Sequence, residues 1–229
     1  MEQKNIRKYI LYALGEILLV VIGILIALQI NTWNEERKNA LEANRLLKDL
    51  LEEVEMAVSS REEFLKEDIA VQDGIASALN KIFSKGLAEL TSEECESIFY
   101  SHMIRWDPFN LTTLDEMITT GKISILSDLE LRNALLEFRN LANSNRERLN
   151  QTVFEANVLV DDFPHLIIRD WDIPSQESVF TCDIKAMREN RYFLAQLQSN
   201  RGRLGGPVNA ARRELDALVL IRNNLRESL

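Results

Sequence analysis

Few residues in this 229-residue chain are typical of catalytic chemistry. Nucleophilic catalysis needs a serine or cysteine close to a histidine, and the sequence holds two histidines, His102 and His165. The Gly-x-Ser-x-Gly turn that exposes a nucleophilic serine is missing from the sequence. We therefore expect no catalytic residues and no cofactor, and the prediction is a protein that is not an enzyme.

The densest group of potential metal ligands is Asp161, Asp162 and His165. A helix end followed by a loop can gather such carboxylate and imidazole ligands around one ion. The alternative is a solvated last helical turn, with His165 complementing the helix dipole. We favour that alternative, so no metal site is predicted, and these three residues are the candidates if one exists.

Paired carboxylates occur at Glu52-Glu53-x-Glu55 and at Glu62-Glu63. Acid/base catalysis uses pairs of carboxyl groups whose environments differ. On a long exposed helix, however, such pairs are typical of a solvated face. We predict no acid/base role for them.

Cys95 and Cys182 are the two cysteines of the chain and lie 87 positions apart. Their spacing matches neither a Cys-x-x-Cys redox motif nor a zinc motif. Outside the cytoplasm two such cysteines can form a disulfide. Two buried free thiols are the other interpretation, and the sequence leaves both open.

Residues 10–30 form an apolar stretch in which Glu16 is the one ionisable side chain. At 1.5 Å per residue the stretch spans about 31 Å, which matches a bilayer core of about 30 Å. A cleaved signal peptide would end in a small-x-small site, but Ala27-Leu28-Gln29 lacks the second small residue. A buried core helix is the other alternative, and we favour a single-pass anchor in the lipid bilayer.

Five residues of this span share one helical stripe, with spacings of three and four. They are Glu16, Val20, Gly23, Ala27 and Ile30. Small residues let helices approach closely, and a carboxyl group in a membrane seeks a partner. The stripe predicts a homo-oligomer or a membrane-protein complex, with Glu16 protonated or paired. The alternative is that Glu16 reaches the headgroups and Gly23 is incidental.

Formal net charge is -9 over the whole chain, and residues 1–31 contribute +1 of it. The rest of the chain is therefore strongly acidic, so nucleic acid is excluded as a partner. Basic residues flank the span on both sides, and those before it lie closer. This favours a cytoplasmic tail of residues 1–9 and an extracytoplasmic location for residues 31–229. A tail of that length cannot fold, so we expect any signal to pass through a partner.

Residues 15–37, GEILLVVIGILIALQINTWNEER, resemble the opening signature of a bacterial family of single-pass membrane proteins of unknown function. Residues 113–132 carry a second, weaker similarity to that family, with a threonine-rich helix, a glycine turn and a following helix start. The resemblance implies a helical protein of the bacterial inner membrane. It implies no activity, substrate or catalytic residue.

Apolar spacing and the few glycines and prolines predict an all-α fold. The span continues into a stem helix at residues 33–84, with a break expected near Gly74, and the stem joins an antiparallel helical bundle. Arg61 and Asp68 fall on the apolar stripe of the stem, which favours a bundle over a bare coiled coil. Further elements are short helices at 92–103 and 113–120, a long helix at 128–161, a loop at 162–183 and a helical hairpin at 184–227.

Capping boxes are predicted at Thr91-x-x-Glu94 and Thr113-x-x-Glu116. The glycine-rich joint at residues 202–207 is predicted to be the turn of the C-terminal hairpin, since it lacks the lysine of a phosphate-binding loop. Four aromatic residues in predicted loops line a pocket or hold the loops on the bundle, and we favour the second. They are Trp106, Phe109, Phe163 and Trp171.

These features predict a membrane-anchored helical scaffold or accessory subunit. The alternative is an extracytoplasmic sensor that binds a small ligand between helices and signals through a membrane partner. A membrane-tethered, metal-dependent enzyme is a third hypothesis.

Overall fold

A computed structural model describes residues 3–84, 86, 89–103, 110–153 and 156–229. The described chain is helical apart from one small two-stranded sheet, which confirms the predicted helical class. Its elements are α1 (Gln3–Phe83), α2 (Ser92–Phe99), η1 (Tyr100–His102), α3 (Thr112–Thr119), η2 (Lys122–Ile125), α4 (Leu129–Val153), α5 (Leu159–Asp162), β1 (Ile167–Asp172), β2 (Glu177–Cys182), α6 (Ile184–Glu189) and α7 (Arg191–Ser228). Both η elements are short 3₁₀ helices.

Helix α1 is 81 residues long and runs without a break from the apolar span into the stem. At 1.5 Å per residue it extends about 120 Å. Among the residues described, this is the one helix long and apolar enough to cross a membrane, and its most apolar window is fully exposed. The span and the stem are therefore one continuous helix.

The stem carries two main hydrophobic clusters at different distances from the span. The span-proximal cluster packs α1 against α3, α4 and the C-terminal half of α7, and its central residues include Leu50, Val54, Leu114, Leu135 and Leu218. The span-distal cluster packs α1 against α2, α5, α6 and the N-terminal half of α7, and its central residues include Ile75, Ile98, Leu159, Met187 and Phe193. Helices α1 and α7 run through both clusters.

The predicted loop at residues 162–183 is wrong, because most of it is an antiparallel hairpin of β1 and β2. Ile167 and Phe180 are buried, and the backbone N–H of Phe180 donates to Ser92 Oγ at 3.1 Å. The turn is held by Asp172, which accepts hydrogen bonds from the backbone and hydroxyl of Ser175. Contact with α2 therefore stabilises strands that are too short to stand alone.

The predicted helix at 128–161 is too long, because α4 ends at Val153 and α5 is a separate turn. Asn200 of α7 explains the interruption. Its Oδ1 accepts from the backbone N–H of Asn157 at 3.0 Å, and its Nδ2 donates to the carbonyl of Asn157 at 2.7 Å. These bonds replace the helical partners of that backbone.

The predicted helical hairpin at 184–227 is also wrong. Short helix α6 is followed by α7, which runs 38 residues through the glycine-rich joint and contains Pro207. Leu204, Pro207 and Val208 are all buried there. Burial of these side chains outweighs the low helix propensity of the segment, since propensity is a weak force beside tertiary packing.

Helix ends show where local rules held and where tertiary contacts replaced them. The capping box of Thr91 and Glu94 is confirmed. The box predicted at Thr113 is wrong, because the carboxylate of Glu53 on α1 accepts the Thr113 N–H at 3.0 Å and its hydroxyl at 3.0 Å. A charge on another helix therefore caps α3, which suits the positive end of the helix dipole.

The expected break near Gly74 is absent, and this glycine serves a close helix contact instead. A Cβ atom added at Gly74 would lie 2.1 Å from Ser97 Oγ and 2.7 Å from Ser97 Cβ on α2. By contrast, a Cβ atom added at Gly202 in α7 meets nothing within 4 Å. The two glycines therefore have different roles in helices of the same fold.

Gly74→Ala is expected to lower the free energy of unfolding by about 1–3 kcal/mol, because α2 must move away from α1. Gly202→Ala is the matched control and should raise it by up to about 1 kcal/mol, since alanine favours helix and no clash arises. Urea unfolding of the full-length chain in detergent micelles measures both values. Equal stabilisation by the two substitutions would contradict the close packing of α1 and α2.

Candidate functional site

The stripe formed by Glu16, Val20, Gly23, Ala27 and Ile30 is called here the association stripe. It lies on the exposed first part of α1, which is helical without interruption. Val20 and Ile30 are exposed, as are Glu16 and Ala27, and a Cβ atom added at Gly23 meets nothing within 4 Å. The described part of the chain covers none of this stripe. The five residues are thus available to a partner in a bilayer.

The structure does not assemble the candidate metal ligands into a site. Asp161 and His165 are exposed, and Asp162 Oδ2 accepts a hydrogen bond from Gln196 Nε2 at 3.1 Å. Across the described ranges, no group of three or more histidine, cysteine or carboxylate side chains is arranged to hold a metal. Asp162 instead ties α5 to α7.

The two cysteines are brought together by the contact of the hairpin with α2. Cys95 and Cys182 form a disulfide, with Cα atoms 5.9 Å apart. Cys95 is buried beneath the sheet, and Cys182 is half-buried. The bond closes a loop of 87 positions, so in the chain-entropy view it restricts the unfolded chain strongly.

The aromatic residues predicted to lie in loops behave differently from one another. Phe163 is buried and packs edge-on against Phe193, with ring centroids 5.4 Å apart, so it holds its segment on α7. Trp171 lies on β1 and is 62% exposed, so most of its side chain faces away from the bundle. Trp106 and Phe109 lie outside the described residues.

A buried charge network lies between the two main clusters. Arg61 Nε donates to Glu214 Oε2 at 3.1 Å, and Asn145 Nδ2 donates to Glu214 Oε1 at 2.8 Å. Arg61, Asn145 and Glu214 are each 2% exposed. The Arg61 guanidinium also stands over the Phe64 ring, 5.7 Å from its centroid. One carboxylate therefore joins α1, α4 and α7.

The pKa of Glu214 depends on both its burial and its hydrogen bonds. Burial raises the pKa of Glu214, while the Asn145 and Arg61 hydrogen bonds act against that rise. A buried ion without partners costs several kcal/mol, so each of these bonds stabilises the charged form of Glu214. The network is consequently sensitive to any shift of one helix against another.

Sequence reasoning placed Arg61 on the apolar stripe of the stem but missed Glu214. The neighbouring Leu215 is only half-buried, whereas Glu214 is buried. The signal was present, because Glu214 precedes Leu218, Ile221 and Leu225 at helical spacing. A carboxylate on an apolar stripe of one helix and an arginine on that of another predict a buried pair.

Another carboxylate ties α2 to α1. Glu94 accepts hydrogen bonds from Ser77 Oγ at 2.6 Å, Lys81 Nζ at 2.7 Å and the Thr91 N–H at 2.8 Å. Burial raises the pKa of Glu94, but these bonds outweigh it and the pKa is lowered. At neutral pH the ionised form therefore fastens the distal end of the stem.

A cationic groove opens between α4 and α7, with a volume of about 640 Å³. Arg148, Arg212 and Arg213 line it, and Asp216 is the one acidic residue among the described residues of its wall. Its floor reaches Asn145 of the buried network. A second groove of about 620 Å³, between α1 and α7, is lined by Gly202 and Gly205.

Comparison with known proteins identifies one related group. The model of a family described as a family of unknown function (DUF6090) matches residues 16–141, more than half of the chain. This confirms the resemblance to a family of unknown function. No curated protein and no solved structure matches the chain.

Arg61→Met and Glu214→Gln are each expected to lower the free energy of unfolding by about 3–5 kcal/mol, because each breaks the buried ion pair. The double variant should cost clearly less than the sum of the two, since it buries no charge and the introduced glutamine still accepts from Asn145. Urea unfolding of the full-length chain completes the cycle. Arg45→Met, at an exposed ion pair with Asp49, is the control and should change the stability little. Strict additivity would show that the buried pair is not coupled.

Proposed function

We propose that this chain, which belongs to the DUF6090 family of unknown function, is a membrane-anchored helical scaffold or accessory subunit. It assembles with itself or with a membrane protein through its span and its bundle, and it has no catalysis of its own. The observation that carries the proposal is the continuity of α1, in which a fully exposed apolar span and the stem of the bundle are one helix.

The span supplies the first contact in this proposal. In hydrocarbon a carboxyl group is costly unless a partner shares its polar atoms, and Glu16 stands on an otherwise apolar stripe. Gly23 and Ala27 allow a second helix to approach that stripe closely. The lipid bilayer is the immediate partner of the other faces.

A non-catalytic role is supported by the surroundings of the two histidines. Within the described residues, neither His102 nor His165 lies in hydrogen-bond contact with a serine, cysteine or carboxylate, and Nδ1 of His102 is buried without a partner. A general base needs such contacts to act on a nucleophile. Binding and assembly are the functions that the remaining surfaces support.

The location that we propose is the bacterial inner membrane, with the bundle on the extracytoplasmic side. Basic residues lie closest to the span on its N-terminal side, which favours a cytoplasmic N-terminus. The Cys95–Cys182 disulfide supports the same orientation, because such bonds persist in oxidising compartments. The acidic bundle is then held outside the cytoplasm, beside the membrane surface.

A sensor is the second candidate, and one observation favours it. Helix α1 crosses both main hydrophobic clusters and enters the span without interruption. A ligand that displaced α1 in the distal cluster would move the span as well. Recovery of a small molecule with the native chain would favour the sensor over the scaffold.

Orientation is tested by a reporter fused after Leu229, which is exposed at the end of α7. We expect reporter activity on the extracytoplasmic side only. Thiol titration of the chain, denatured directly from membranes, should find two thiols after reduction and none before it. Reporter activity confined to the cytoplasm, with two thiols titrating before reduction, would contradict the orientation.

Glu16→Leu and Gly23→Leu are expected to weaken self-association roughly 3- to 30-fold, the range that interhelical bonds and close packing supply in membranes. Native mass spectrometry of the full-length chain in lipid nanodiscs measures the assembly size. Gly15→Leu is a matched control, since Gly15 lies off the stripe and a Cβ atom there meets nothing. Unchanged assembly in both test variants would contradict the proposal that the stripe mediates self-association.

A further inference from the structure

Helix α7 carries a basic outer face on an acidic protein. Helix α7 contains seven arginines, three acidic residues and no lysine, while the whole chain has net charge -9. Arg212 and Arg213 are exposed beside the groove between α4 and α7, and Arg148 faces them from α4. Across the described chain, neither Arg212 nor Arg213 forms an ion pair. Two strong cations are therefore available to an anionic partner.

The same face of α7 is open because three of its residues are glycines. Gly206 lines the arginine groove, and Gly202 and Gly205 line the adjoining groove. A Cβ atom on any of the three meets nothing within 4 Å, so packing inside the chain does not require glycine there. Each glycine costs about 1 kcal/mol relative to alanine in a helix. Space for a second helix is a physical reason for that cost.

The stem carries acidic residues at the same distance along the bundle as the arginine groove. Residues 31–83 hold twelve acidic and seven basic side chains. Glu62 and Glu63 are exposed, and neither is ion-paired within the described ranges. Because Arg61 bonds Glu214 at 3.1 Å, Glu62 and Glu63 lie within about one helical turn of the level of Arg212 and Arg213.

We propose that this arginine face receives the stem of a second copy of the chain, with Glu62 and Glu63 of that copy against Arg212 and Arg213. The proposal rests on the assembly proposed above and names its extramembrane contact. Copies anchored in one bilayer share the same orientation, so a closed assembly has its axis along the membrane normal and brings equal levels together. The acidic patch of one copy and the arginine face of the next therefore have opposite charge and lie at the same height above the membrane, so the stem need not tilt.

A second copy fits this face better than a lipid headgroup. Arg61 lies 31 residues beyond Ile30, so the arginine face stands about 45 Å above the end of the span. Headgroups of the same membrane do not reach that height. The two complementary patches lie on different helices, so each copy offers one patch and receives the other, as in a cyclic assembly.

Charge reversal in the full-length chain tests the contact. Arg212→Glu/Arg213→Glu and Glu62→Arg/Glu63→Arg should each weaken assembly in nanodiscs about tenfold or more, because like charges then face each other. The chain carrying all four changes should regain wild-type assembly. Lys185→Glu/Arg191→Glu, an equal change of charge at exposed residues of α6 and α7 away from the groove, is the control and should assemble as wild type. Circular dichroism of each variant checks that the helices are retained.

The outcomes separate the two proposals. Wild-type assembly in both reversed pairs, with loss of assembly in Glu16→Leu, would overturn the arginine contact and leave assembly through the span. Failure of the fourfold variant to regain assembly would likewise overturn the pairing of these two patches. A monomeric wild-type chain would overturn the arginine contact and also self-assembly through the span.

Discussion

The buried pair of Arg61 and Glu214 is the constraint on which the rest of the bundle depends. Two charges removed from water are stable only with good geometry and further polar contacts. Asn145 supplies a hydrogen bond to Glu214, and the Phe64 ring supplies a cation–π contact to Arg61. A slip of α7 along α1 by one residue would break the bond between Arg61 and Glu214 inside the core. The pair therefore sets the register of α1, α4 and α7, and with it the level of every exposed group on them.

The same register also aligns the two main hydrophobic clusters along α1 and α7. The span-proximal and span-distal clusters lie on either side of the charged level, and α1 and α7 connect them. Contacts at the far end, such as the bonds from Arg188 to the carbonyls of Lys81 and Ile82, fasten the last turn of the stem. The apolar span, the buried ion pair and the distal cluster consequently share one long helix, α1.

Local pattern was sufficient to predict the helices of the bundle, because apolar residues at spacings of three and four specify a buried stripe. It failed where tertiary contacts reversed a local preference. Residues 202–207 have the composition of a turn, yet burial of Leu204 and Val208 keeps them helical. The β1–β2 hairpin depends on α2 and on Cys95, which lie about 70 to 90 positions away in the sequence. Of the buried network, Arg61 was predictable from its place on the apolar stripe of the stem, and Glu214 carried the same signal on α7. Spacing alone does not show which two helices meet.

Assembly in the native membrane is the central claim of this account. Two full-length copies with different tags, expressed together at native level and extracted under mild conditions, measure it directly. Purification through one tag should recover the other tag, with or without an additional membrane protein. Recovery of a single tagged chain alone, at the mass of a monomer, would contradict the account.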